Sequence, residues 1–146
     1  MPTRFAHVNV IAQDWRRLAA FYQTVFGCKP VPPERDQSGD WLDRATGIPG
    51  AHIRGMHLRL PGGGPTLEVY EYEDTPQRPE IKPNTPGFSH IAFVVDDVES
   101  VANDMVSNGG STVGQVEQVS IAGAGELLFQ YVADPEGNII EIQHWS

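Results

Sequence analysis

The chain is expected to adopt an α+β fold in which two βαβββ modules follow one another and their mixed sheets curve around a central cavity. Internal repetition is the main reason. His7-Val-Asn-Val-Ile-Ala-Gln-Asp14 aligns with His90-Ile-Ala-Phe-Val-Val-Asp-Asp97 at an offset of 83 residues, and Gly27 meets Gly110 at the same offset. One return of the pattern in a chain of 146 residues fits two half-domains that share a structural domain. The second reason is the order inside each half. An apolar strand leads to an aspartate, a helix-length stripe, a glycine stop and three further strand-like runs.

Residues 5–11 and 88–95, rich in Val, Ile and Phe, are the expected first strands. Asp14 and Asp97 follow as N-caps, because a short carboxylate accepts hydrogen bonds from the open amides of a first helical turn. Trp15, Leu18, Ala19, Tyr22, Val25 and Phe26 recur at three- and four-residue steps and make one apolar helical face. Val98, Val101, Ala102 and Met105 repeat that face in the second half. Gly27 and the Gly109-Gly110 pair are expected to end the helices in the left-handed conformation. Further strands are expected over 28–32, 53–60 and 66–72, with Pro61-Gly62-Gly63-Gly64-Pro65 turning between the last two. Their counterparts are 111–119, 127–133 and 138–144, with Asp134-Pro135-Glu136-Gly137 as the turn. Residues 33–50 read as a long loop. The modules then span 1–74 and 87–146, joined by a proline-rich linker over 75–86.

Ten Lys and Arg against 19 Asp and Glu give a net charge of −9. Such a field repels nucleic-acid phosphates and anionic lipid, so neither partner is expected and a small molecule is. Cys28 is the only cysteine, which rules out an intrachain disulfide and fits a reducing compartment. The opening residues carry no apolar stretch ahead of a small-residue cleavage site. The longest clean apolar run, Ile91 to Val95, is far short of the ~20 residues a helical span needs. A cytoplasmic location is therefore expected.

Chemistry concentrates at matching places in the two halves. His7 and His90 lie on the first strands, Glu68 and Glu141 on the last. Successive strand residues point to opposite sides, so His7 shares a face with Asn9, and Glu68 shares one with Tyr70 and Tyr72. Glu141 likewise shares a face with Gln143 and Trp145, while the aliphatic residues of each strand take the other side. With these polar faces lining one cavity, two imidazoles and two carboxylates make a mixed N/O site for a divalent ion such as Zn, Ni, Co, Mn or Fe(II). His57 lies on a strand bordering the expected cavity, whereas His52 and His144 read as surface or supporting residues. Asn9, Arg54, His57, Tyr70, Phe129 and Trp145 are the substrate-binding candidates, with Arg4, Arg16 and Arg59 as further cations for an acidic substrate.

Several of these stretches resemble a known family. They are His7, the Phe21-Tyr22 pair before Gly27, Leu67-Glu68-Val69, and Gly87-Phe88-Ser89-His90-Ile91-Ala92-Phe93. Asp134-Pro135-Glu136-Gly137-Asn138 followed by Glu141-Ile142 completes the set. In order and spacing the chain resembles the vicinal oxygen chelate superfamily over almost its whole length. That group holds glyoxalase I, methylmalonyl-CoA epimerase, fosfomycin and bleomycin resistance proteins, and extradiol dioxygenases. The resemblance implies metal ligation by His7, Glu68, His90 and Glu141, the glyoxalase I pattern, with Glu141 also the catalytic base and Glu68 a fourth ligand or partner base. It implies a metal-dependent lyase or isomerase that moves a proton on a small carbonyl or acyl-thioester substrate, working as a homodimer. Two alternatives stay open within the same superfamily: an Fe(II) dioxygenase using His7, His90 and Glu141, and a non-catalytic protein that sequesters a drug.

Overall fold

Alternation of aliphatic with polar residues gives each strand one side that must be buried and one that need not be, and a helix covers the first side in each half. The computed structural model describes residues 2–146, and the chain divides after Gln77 into two compact units. The first unit runs β1 (His7–Ile11), α1 (Trp15–Phe26), β2 (Lys29–Ser38), α2 (Asp40–Thr46), β3 (His52–Arg59) and β4 (Thr66–Tyr72). The second runs β5 (His90–Val94), α3 (Val98–Ser107), β6 (Ser111–Thr112), β7 (Glu117–Ile121), β8 (Gly125–Ala133) and β9 (Ile139–Trp145). Their sheets have the orders β1-β4-β3-β2 and β5-β9-β8-β6, with β7 also paired to β8. In each, the first strand lies parallel to the last and the other pairings are antiparallel. The expected α+β class with repeated strand-helix-strand modules is the architecture observed.

Both helices start where expected. The Arg17 amide donates to Asp14 Oδ1 at 3.1 Å and the Ser100 amide to Asp97 Oδ1 at 3.0 Å, a cap of about 1 kcal/mol each. Gly27 closes α1 at φ 67°. The helix of the second unit, α3, also ends as expected: Asn108 is its cap, and Gly109 takes the left-handed turn at φ 99°. Gly110 serves a different need, since a Cβ there would lie 2.5 Å from the Ala133 carbonyl oxygen. Trp15, Leu18, Ala19 and Tyr22 of α1 are buried, and the helix packs on β3 and β4, whose Leu58, Leu67 and Val69 are at most 1% exposed. Phe21, outside the expected stripe, is buried as well. In the second unit Val98, Ala102 and Met105 are buried on α3, which packs on β8 and β9, where Val132, Ile140 and Ile142 are fully covered.

The expected loop over 33–50 is instead the rest of β2 followed by α2. Val31 faces His57 and Arg35 faces Gly55, so β2 carries a bulge that absorbs Pro32 and Pro33 before pairing resumes through Ser38. Loop-like residues then act as caps: the Asp43 carboxylate accepts from the amides of Gly50 and Ala51 at 2.9 and 3.0 Å. Leu42 of α2 is buried with Ala51 and Ile53, and Tyr70 and Tyr72 pack against this group. The expected strand over 111–119 is split into β6 and β7. The amides of Val113 and Gly114 both turn to the Tyr131 carbonyl, at 3.1 and 3.2 Å, and so interrupt the ladder. Among the described residues no helix is long and apolar enough to cross a membrane.

Candidate functional site

Register places the polar residues of the first sheet on the side opposite α1. Asn9, Glu68, His57 and Val31 form one row across β1, β4, β3 and β2; Ile11, Tyr70, Gly55 and Arg35 form the next. Within this face His7 Nε2 lies 3.2 Å from Glu68 Oε1, and the Asn9 side-chain amide donates to the same oxygen at 3.1 Å. The other oxygen, Oε2, lies 3.1 Å from His57 Nε2, which in turn is 2.6 Å from the Tyr70 hydroxyl. Burial holds His57 below the ordinary imidazole range, against the opposing pull of the Glu68 charge.

The second sheet repeats the pair with different support. His90 Nε2 lies 3.2 Å from Glu141 Oε1, and the Gln143 side-chain amide donates to Glu141 Oε2 at 2.7 Å. Gln143 is held by the Trp145 indole N–H, which donates to its oxygen at 2.6 Å. Tyr131, directly across from Glu141 on β8, packs its ring 5.0 Å from that of His90, and Phe129 lies edge-on to Tyr131. What delivers Glu141 is the turn before β9. The buried Asp134 accepts from the amides of Glu136 and Asn138 at 2.8 and 3.0 Å, and from the Asn138 side chain at 2.8 Å.

Asn9 and His57 thus meet Glu68, Tyr70 meets His57, and Phe129 and Trp145 share the face of Glu141. Arg54 does not join them. It is three residues from His57, so its side chain leaves by the opposite face, where it faces Asp36 at 3.7 Å. The sequence reading sets Gln143 on the face of Glu141 without counting it among the site residues, and it misses Tyr131. The parity of β9 puts Gln143 beside Glu141, but only the β8 to β9 register brings Tyr131 there.

His52 does more than sit at the surface. Its Nε2 meets Asp36 and its Nδ1 lies 3.0 Å from Glu73, so one ring ties together β2, β3 and the residue after β4. Both partners are acceptors, which favours the imidazolium and raises the pKa of His52, mainly through Asp36. A group whose folded pKa is raised stabilises fully below its unfolded value, about 6.5, and loses that contribution as pH rises through the folded value. The gap in thermal midpoint between wild type and His52→Gln is therefore expected to shrink from about pH 6 to about pH 9. A gap that grows over this range would contradict the clamp. Cys28 is inert by comparison, since burial pushes its thiol up to about 11.

Two βαβββ units, each with a histidine on its first strand and a glutamate on its last, define a protein of the glyoxalase type of fold. The chain belongs to the Glyoxalase/Bleomycin resistance protein/Dioxygenase superfamily, whose family model matches residues 4–142. It is 29% identical over 140 residues to a 2-epi-5-epi-valiolone epimerase of an Actinomyces species, covering 93% of this chain and 76% of the relative. It is 26% identical to the virulence protein STM3117 of Salmonella typhimurium, covering 97% and 84%. A crystal structure of a glyoxalase family protein from Bacillus cereus superposes with a TM-score of 0.82 at 18% identity, covering 99% of this chain and 95% of the other. At that identity the likeness shows the fold.

Proposed function

We propose that the protein is a metal-dependent isomerase or lyase that moves a proton on a small carbonyl or acyl-thioester substrate. The observation that carries this reading is the duplicated His–Glu pair. Two donors bonded at ~2.0–2.2 Å to one ion, at tetrahedral or octahedral angles, stand roughly 2.8–3.6 Å apart. The Nε2 to Oε1 separation is 3.2 Å in both pairs, so each has the spacing of neighbouring ligands. Among the described residues no three His, Cys, Asp or Glu side chains form a ligating group by themselves. The fit therefore rests on the chemistry and spacing of the pairs, with His7, Glu68, His90 and Glu141 as the residues that would hold a divalent ion. When bound, such an ion supplies polarisation of a substrate carbonyl oxygen, which acidifies the adjacent C–H.

Glu141 is the proton-transfer base. The residue is 9% exposed and its carboxylate is aimed by the Gln143 amide, so it meets a substrate proton without first shedding a full hydration shell. Glu68 is held from both oxygens by Asn9 and His57, an arrangement suited to a fixed ligand more than to a mobile base. The epimerase relative supports a proton-transfer reaction, because inversion at a carbon next to a carbonyl needs a proton to leave and return. Two histidines and one carboxylate, His7, His90 and Glu141, are also the donor set of an Fe(II) oxygenase, the second reading.

Metal content tests both. Protein purified without chelator is expected to carry near-stoichiometric nickel, zinc, cobalt or manganese by mass spectrometry, and the His7→Ala, His90→Ala double variant is expected to carry none. Iron would move the oxygenase ahead, and no metal after reconstitution would sink both readings.

A further inference from the structure

We propose that Trp145 is a positioning residue for Glu141, acting through the Gln143 side chain and not by contact with substrate, a reading that rests on Glu141 being the proton-transfer base. Glu141, Gln143 and Trp145 are alternate residues of β9, so their side chains share one face of the strand. The indole N–H donates to the Gln143 side-chain oxygen at 2.6 Å, and the Gln143 side-chain nitrogen donates to Glu141 Oε2 at 2.7 Å. Chemistry fixes both directions. An indole nitrogen only donates and an ionised carboxylate only accepts, so the amide between them has a single orientation that satisfies both ends. Turned over, it would set its own N–H groups against the indole N–H and its oxygen against the carboxylate.

Trp145 therefore decides which way Gln143 points. An indole N–H on the amide oxygen also polarises the amide, which makes the N–H aimed at Glu141 a stronger donor. That bond occupies one lone pair of Oε2 and fixes the direction of the carboxylate. The sheet holds the indole end in turn. Trp145 stands across from the buried Leu127 on β8, and one residue further Glu126 and Ser146 exchange two backbone hydrogen bonds, each of 3.0 Å. In the first sheet the equivalent places on β4 hold Tyr70 and Tyr72, and Glu68 takes its amide hydrogen bond from Asn9 on the neighbouring strand. The two halves thus aim their carboxylates differently, one from across the sheet and one along its own strand.

Two measurements test this chain of hydrogen bonds, the first without metal or substrate. In chelator-treated, nitrogen-15-labelled protein, Trp145→Phe assigns the Trp145 indole NMR signal among those of the three tryptophans. Gln143→Met, which keeps the length and removes the amide, is expected to move that signal upfield and to speed its exchange with water. An indole signal that stays in place would overturn the proposal. The second measurement is exchange of the substrate's carbon-bound proton with heavy water at equal metal content. Trp145→Phe, which keeps an aromatic ring without the N–H, is expected to lower kcat roughly tenfold while KM stays within about twofold of wild type. Adding Trp145→Phe to Gln143→Met is expected to lower kcat no further. A raised KM at wild-type kcat would make Trp145 a substrate contact, and additive losses in the double variant would mean that it reaches Glu141 by another route. Either result overturns the proposal and leaves Glu141 as the base. Exchange at the wild-type rate in Glu141→Gln would instead remove the base, and this proposal with it.

Discussion

Exchanging Glu141 for glutamine is expected to abolish exchange of the substrate's carbon-bound proton with heavy water, by roughly 10²–10⁴-fold, while leaving the fold intact. The substitution keeps volume and an oxygen that can accept from Gln143, so the hydrogen bond that now spans 2.7 Å survives. It removes the capacity to take a proton and the charge of a proposed metal ligand, so exchange is compared at equal metal content. The readout is deuterium incorporation, by NMR, into whichever carbonyl or acyl-thioester compound a screen identifies, with circular dichroism as the folding control. Exchange at the wild-type rate would remove Glu141 from the role of base. The same substitution at Glu68 is expected to act chiefly on metal retention, because that carboxylate is clamped on both oxygens.

Gly55→Ala is expected to be the most disruptive single-methyl change in the first sheet. An added Cβ would stand 2.2 Å from the Val69 carbonyl oxygen and 2.9 Å from the Tyr70 Cα, both backbone atoms that cannot swing aside. Overpacking of this kind costs about 1–3 kcal/mol and sometimes more, and with two backbone clashes the upper end applies. At this chain length that corresponds to a fall in thermal midpoint of roughly 10 °C. Denaturant melting of the variant checks the free energy directly. A variant within ~0.5 kcal/mol of wild type, the usual range for an inert surface change, would mean that Tyr70 does not lie across position 55.

How much of this was legible beforehand differs from residue to residue. The faces of β4 and β9 followed from parity alone, because side-chain direction in a strand is set by the backbone of that strand and nothing else. Helix starts at Asp14 and Asp97 were equally local. Parity also separates Arg54 from His57, three residues apart, although the sequence reading names both for the substrate. The loop reading of 33–50 failed for the opposite reason. Asp, Gly and Pro there carry the local marks of irregular chain, yet β2 continues because β3 lies beside it, and Asp43 and Gly39 serve α2.

By itself, then, the sequence determined the doubled module, through its repeat, and the side of the strand that His7, Glu68, His90 and Glu141 each occupy, through strand parity. Only the tertiary structure decided which groups surround each carboxylate. His57 meets Glu68 because β3 and β4 pair in one register, Arg35 reaches the Tyr70 row because β2 bulges at its prolines, and Tyr131 comes to Glu141 through the pairing of β8 with β9. Register is a choice among pairings of residues distant in the chain. It is settled by which one buries the aliphatic faces against α1 and α3, and no window of local sequence contains that comparison.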